Sequence, residues 1–141
     1  MVRLGAYAET AQGLWHDFWA ALRERGLADD ATGAYGFGMD HPGHTPTPLC
    51  RYVAAIALPA IPDDIPGSFR FTLPGGRYGV YRLKGPYSQI KEAFPQLRDD
   101  WLPASGHAVD VTRPFLEVYV NDPKTVAESE ILTDLCIPIG L

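Results

Sequence analysis

Glu117 stands in the run Pro114-Phe115-Leu116-Glu117-Val118-Tyr119-Val120-Asn121, with aliphatic neighbours on both sides and aromatic residues at both i±2 positions. In a strand, alternation puts Phe115, Glu117 and Tyr119 on one face and Leu116, Val118 and Val120 on the other. A carboxylate among aromatic rings suits an organic cation. Charge attracts it at range, and each ring face adds roughly 0.5–2 kcal/mol of cation–π attraction. The same pattern also describes a solvated strand glutamate. With the aliphatic row packed on helices, the carboxylate faces the opposite side of the sheet. Loss of hydration there raises its pKa, and a tyrosine hydroxyl such as Tyr52 or Tyr119 pulls it back down.

Other residue types offer less chemistry. Trp15 and Trp19 sit at helical spacing and read as core, while Trp101 closes a second helical stretch. His41 and His44 form an H-x-x-H in a Pro/Gly loop with no third ligand, so no metal site is expected. Ser105, His107 and Asp110 lie too close in sequence to be presumed a triad. Gly75-Gly76 lacks the Lys-Ser/Thr of a phosphate loop and reads as a turn. Cys50 and Cys136 lie in apolar strands, where buried, inert thiols are expected.

The elements that must hold Glu117 occur twice. Arg3-Leu4-Gly5-Ala6-Tyr7 and Arg82-Leu83-Lys84-Gly85-Pro86-Tyr87 each precede a helical stretch. A strand ending near proline follows in each half, Met39-Asp40-His41-Pro42 and Val120-Asn121-Asp122-Pro123. Then comes an apolar strand with a cysteine, Cys50–Ile56 and Thr133–Ile137. Leu14, Trp15, Phe18, Trp19 and Leu22 mark one face of the first helix, with Thr10 as N-cap and Gly26 as stop. Ile90, Phe94, Leu97 and Trp101 mark the second, with Ser88 as cap. Pro95 is set to kink it, and Pro103 lies beyond its end. Pro59 to Gly67 reads as a crossing loop. The order strand–helix–strand–strand, taken twice over 2–58 and 69–138, gives an α+β domain spanning 1–141 with a mostly antiparallel sheet and pseudo-twofold symmetry.

Carrying Glu117 and Tyr119 back one repeat lands on Gly36 and Gly38. The first-half strand then presents bare backbone to the cleft, with Tyr35, Phe37 and Met39 on the helix-packed side. Paired glycines equally mark a bulge or twist. Tyr7 and Tyr87 occupy equivalent strand-to-helix turns and can rim the cleft.

The chain has 141 residues, 46% hydrophobic and 21% charged, and a net charge of −5. This excludes wholesale disorder and argues against direct nucleic-acid binding, which runs on Lys and Arg. No apolar run reaches a membrane span, no signal peptide opens the chain, and reduced thiols suit the cytoplasm.

The ordered set of motifs resembles the GyrI-like small-molecule-binding domain, the effector-binding fold also found in some AraC-type and MerR-type regulators. The resemblance rests on Gly33-Ala34-Tyr35-Gly36 with Asp40-His41-Pro42, Cys50-Arg51-Tyr52, Leu73-Pro74-Gly75-Gly76-Arg77-Tyr78-Gly79-Val80, and Gly85-Pro86-Tyr87. It continues in Trp101-Leu102-Pro103 with Ser105-Gly106, Pro114–Pro123 and Leu132–Pro138. It implies a standalone member with an SHS2-like duplicated fold, helices on one face and a ligand groove between the repeats on the other. The expected ligand is a lipophilic, cationic or planar aromatic drug or toxin, taken up for sequestration or sensing (multidrug binding). Glu117, Tyr119, Phe115, Trp101, Tyr52, Gly36, Gly38, Tyr7 and Tyr87 are the expected ligand contacts. Pro95 departs from the family pattern and puts pocket residues of its helix in doubt. The resemblance also implies two alternatives, a hydrolase of cyclopropane-bearing DNA-alkylating compounds using Glu117, or a DNA gyrase inhibitor. No cofactor is implied, and a separate regulator is a further expected partner.

Overall fold

The computed structural model describes residues 1–140. Contacts divide the chain into two compact units, Met1–Leu73 and a second from Pro74 onward. The first unit holds β1 (Val2–Leu4), α1 (Tyr7–Glu24), β2 (Gly33–Gly38) and β3 (Arg51–Ala57). β3 is central, antiparallel to β1 through Val2↔Val53 and to β2 through Gly38↔Tyr52 and Gly36↔Ala54. The second unit holds β4 (Tyr78–Lys84), α2 (Ile90–Gln96), α3 (Leu102–Ser105), β5 (Leu116–Tyr119) and β6 (Leu132–Pro138). β6 is central, antiparallel to β4 through Tyr81↔Leu135 and to β5 through Glu117↔Leu135. The chain is therefore α+β, with the described strand pairs antiparallel.

Both units turn from first strand to helix on a glycine with positive φ, Gly5 at 130° and Gly85 at 135°. A side chain is strained there. Each glycine N–H also bonds across the turn, Gly5 to the Cys50 carbonyl at 2.9 Å and Gly85 to the Ile131 carbonyl at 2.8 Å. Tyr7 and Tyr87 follow these turns.

α1 packs its i, i+4, i+8 stripe of Leu14, Phe18 and Leu22 onto Tyr52 and Ala54 of β3 and onto Ile65. Leu14 and Leu22 are 2% and 0% exposed, and each such side chain contributes roughly 1.5–3 kcal/mol by burial. Trp15 and Trp19 stack at 6.5 Å and flank this core. Gly26, at φ 67°, follows the helix end as expected. The start differs. Ala6 is the N-cap, and Thr10 lies inside the helix with its hydroxyl donating to the Ala6 carbonyl at 2.9 Å. The crossing segment bends back onto this unit, burying Ile65 and setting Phe71 5.5 Å from Phe37.

The helical stretch of the second unit runs further than the sequence implies. A 3₁₀ turn over Tyr87–Gln89 leads into α2, with Pro95 inside it. A π turn, Leu97–Trp101, follows, closed by the Leu102 N–H on the Leu97 carbonyl. Pro103 lies within α3, in its first turn, where its missing N–H is tolerated, and Gly106 ends the helix at φ 72°. Leu102 packs with Ile137 and Ile139, joined by Leu97 and Phe115.

That packing corrects the expected faces. Phe115 stacks on Phe94 of α2 at 6.3 Å. Ile137 and Leu135 share a sheet face, and Leu135 lies opposite Glu117. The row Phe115, Glu117, Tyr119 is thus on the helix-covered face, and the aliphatic row is on the other. In the first unit, Gly36 and Gly38 pair with Ala54 and Tyr52, which pack on α1. They too lie on the helix side, and Tyr35 and Phe37 face away from it. The expectation misled because both faces are apolar. Leu116 and Cys136 are 5% and 6% exposed on one, Leu135 and Ile137 0% and 1% on the other.

Candidate functional site

Glu117 is the second residue of β5, part-buried, with Leu135 beside it on β6. The Tyr119 hydroxyl donates to Glu117 Oε2 at 2.6 Å. Tyr87 meets the Tyr119 ring edge-on, 5.5 Å between centroids and 80° between planes. Phe115 continues the aromatic row along the strand and stacks on Phe94 of α2.

Burial pushes the Glu117 carboxyl above its ordinary value, and the Tyr119 hydrogen bond pulls it part of the way back. Burial also raises the Tyr87 phenol, reinforced by the negative charges of Asp122 and Glu117. Removing the carboxylate from water makes it a stronger attractor for any cation that reaches it.

Sequence reasoning missed Thr133. It lies opposite Tyr119 on β6, is 0% exposed, and its hydroxyl oxygen has no hydrogen-bond partner. Only the strand register brings it beside Tyr119, and a single sequence does not print register.

The other expected contacts have local partners within their own units. Trp101 covers Gly79 of β4, where a Cβ would overlap its indole, and it lines a recess with Tyr81 that Glu117 does not line. In the first unit, the Tyr7 ring lies over Gly38, so that strand is covered there rather than bare. Its hydroxyl donates to the Asp40 carbonyl at 2.6 Å and accepts from the Asp40 N–H at 3.1 Å. Tyr52 is 2% exposed, accepts a hydrogen bond from Trp15 Nε1 at 3.0 Å, and is tilted against Tyr7. Gly36 is buried opposite Ala54.

Among the described residues no group of three or more His, Cys, Asp or Glu side chains is placed to hold a metal ion. His41 and His44 stack on each other at 4.6 Å. Cys50 and Cys136 are buried free thiols, and burial, aided by Asp134, pushes Cys136 up to about 11. No helix among the described residues is long and apolar enough to cross a membrane.

Comparison with known proteins gives a consistent result. A family model for the GyrI-like small molecule binding domain matches residues 3–140. The chain is 30% identical over 120 residues to the probable transcriptional regulator YgiV of Escherichia coli strain K12, covering 84% of this chain and 74% of that protein. It is 29% identical to YgiV of E. coli O157:H7 over the same shares. The crystal structure of an uncharacterized conserved protein from Listeria innocua matches with a TM-score of 0.60 at 14% identity, covering 99% of this chain and 85% of that one. This last match speaks to the fold alone.

Proposed function

The chain belongs to the GyrI-like small-molecule-binding family, and on that premise we propose that it binds a lipophilic organic cation with a planar aromatic part at the Glu117 face of the second unit. The observation that carries this reading is the Glu117 carboxylate, part-buried, held by Tyr119 and set in a row of rings formed by Phe115, Tyr119 and Tyr87. A buried charge is costly unless something compensates it, and one hydrogen bond compensates only part. A cationic ligand completes the compensation, and the rings add cation–π attraction. Drug or toxin capture in the cytoplasm, for sequestration or for signalling to a separate regulator, is the role we assign. The regulator name of its E. coli relatives supports the sensing half of that role.

The recurring Gly-x-Tyr turn supports reading the chain as two copies of one strand–helix–strand–strand unit. Superposing the first unit on the second tests it, with Tyr7 and Tyr87 expected to coincide.

A cationic rhodamine dye and its neutral analogue, titrated against the parent and Glu117→Gln, test the binding reading. The variant keeps the shape and the acceptor for Tyr119 but removes the charge. It should lose about 1–3 kcal/mol of affinity for the cation and little for the neutral analogue. Equal affinities in both proteins would remove Glu117 from the site.

One observation favours a second reading. A carboxyl whose pKa is raised by burial and which accepts from a phenol is a stronger base than a free glutamate, as a residue that takes a proton from water during ring opening must be. Turnover of a cyclopropane-bearing alkylating compound by the parent, abolished in Glu117→Gln, separates hydrolysis from binding.

A further inference from the structure

Tyr81 of β4 and Glu117 of β5 both lie opposite Leu135, so they share a sheet face two strand spacings apart, roughly 10 Å. On the β4 side, the helical stretch leaves a recess of about 460 Å³ lined by Tyr81, Ala93, Gln96, Leu97, Asp100 and Trp101. The five helical residues fall at i, i+3, i+4, i+7 and i+8, one stripe of a helix. The stripe runs through the π turn Leu97–Trp101, which carries both Asp100 and Trp101. Such turns recur at functional sites in helices.

Two large rings stay half-exposed here, Tyr81 at 48% and Trp101 at 38%. Gly79 is what lets the indole lie down on β4, since a Cβ there would overlap it. The polar groups of the recess are uncommitted. Among the described residues, the Tyr81 hydroxyl, the Trp101 indole N–H, the Gln96 amide and the Asp100 carboxylate have neither a hydrogen bond nor an ion pair. The neighbouring Asp99 differs, being held by Arg98 through two bonds of 2.6 and 2.7 Å. The recess therefore combines one uncompensated negative charge, two accessible ring faces and an apolar floor of Leu97 and Ala93.

We propose that this recess is a second binding site, for a small alkylammonium cation, separate from the Glu117 face. The carboxylate of Asp100 supplies charge, the Tyr81 and Trp101 rings surround the alkylated head, and Leu97 and Ala93 take its methyl groups. It stands on different residues from the Glu117 reading and holds or fails independently of it.

Choline is the probe, and 3,3-dimethylbutan-1-ol is its uncharged counterpart of the same shape. The measurement is the indole N–H resonance of Trp101 in ¹⁵N-labelled full-length protein. Choline should shift it saturably, and the neutral alcohol should bind at least about fivefold more weakly. Asp100→Asn and Tyr81→Ala, both at exposed positions, should each weaken choline binding by about fivefold. Glu117→Gln should leave it unchanged. The proposal is overturned if choline gives no saturable shift, or if the alcohol binds equally well. It is equally overturned if the Tyr81→Ala/Asp100→Asn double variant binds like the parent, or if Glu117→Gln weakens choline as the recess variants do.

Discussion

The Tyr119 hydroxyl reaches back along its own strand to donate to Glu117 Oε2 at 2.6 Å. Residues i and i+2 of a strand face the same way, so β5 itself places this pair side by side. The bond does two opposed things. It holds the carboxylate in one orientation among the rings, and it offsets part of the burial that disfavours the charged form.

Replacing Tyr119 by Phe separates those effects. The hydroxyl lowers the Glu117 pKa, so its loss should raise that pKa further. A permanently charged ligand needs the ionised carboxylate, so affinity is present above the folded-state pKa and lost as pH falls through it. In Tyr119→Phe the fall should begin at higher pH, while affinity well above the transition changes by only a few-fold. Dye titrations between pH 4 and pH 9 report the midpoint. Superimposable profiles for parent and variant would show that the bond does not govern the charge.

Gly38 and Gly79 each lie under an aromatic ring, and their tolerance of a methyl group should differ. Tyr7, over Gly38, is fixed at its hydroxyl by the Asp40 carbonyl and N–H, so it cannot swing aside cheaply. Gly38→Ala should cost about 1–3 kcal/mol. Trp101, over Gly79, is 38% exposed and has no hydrogen bond among the described residues to hold it. Gly79→Ala should cost about 1 kcal/mol or less, and it should push the indole outward, increasing its quenching by acrylamide. Urea unfolding of both variants gives the comparison, and an equal or reversed order would contradict it. Because Gly38→Ala strains the fold, a loss of ligand binding there would not by itself identify Gly38 as a contact.

The strands were legible in the sequence as short, largely apolar runs with Pro or Gly in or near them. Leu132–Pro138 was anticipated to within a residue at either end. Which face the helices cover was not legible. Leu116 and Leu135 are both nearly inaccessible yet point to opposite sides, so alternation carries no label for the helix side. Thr10 misled as a cap because its hydroxyl bonds to the Ala6 carbonyl inside the helix, a use that competes with capping. The Glu117–Tyr119 pair was legible because it is local to one strand. Thr133 and Tyr81 depend on cross-strand register and were not.

Asp110 anchors a second charged cluster whose acid response can be stated. It accepts from Arg113 Nε at 2.9 Å, from the Thr112 hydroxyl at 2.6 Å and from the Thr112 N–H at 3.0 Å. Arg113, its side chain only 7% exposed, also donates to the Ile139 carbonyl at 3.0 Å and lies 4.6 Å from the Tyr78 ring centre. The hydrogen bonds from Thr112 and Arg113 hold the Asp110 carboxyl down at about 2. A depressed carboxylate stabilises the fold above its unfolded pKa, and that contribution is lost as pH falls through the folded one. Asp110→Asn should therefore lower Tm at pH 7, with the gap to the parent narrowing as pH falls from about 4 towards 2. A gap independent of pH would mean that Asp110 acts through shape rather than charge.

Glu117 should run the other way, and this tests whether it is kept for function rather than stability. Its folded-state pKa is raised, so the native protein binds its proton more tightly than the unfolded chain does. The protonated form is the one burial tolerates. Stability from this group is fully present below the unfolded pKa, about 4.3, and is lost as pH rises through the folded value. Above the folded value the parent carries a part-buried carboxylate that Tyr119 only partly compensates. Glu117→Gln removes that charge and keeps an acceptor for the Tyr119 hydroxyl. Its Tm should exceed the parent's at pH 8, and the two should converge below about pH 4. The same variant should bind cationic ligand more weakly, so stability and affinity move in opposite directions, as expected where a site holds a group the fold disfavours. A saturating cationic ligand should raise the parent's Tm at pH 8 more than the variant's. If Glu117→Gln is less stable than the parent at pH 8, the carboxylate is already satisfied within the fold and leaves nothing for a cation to complete.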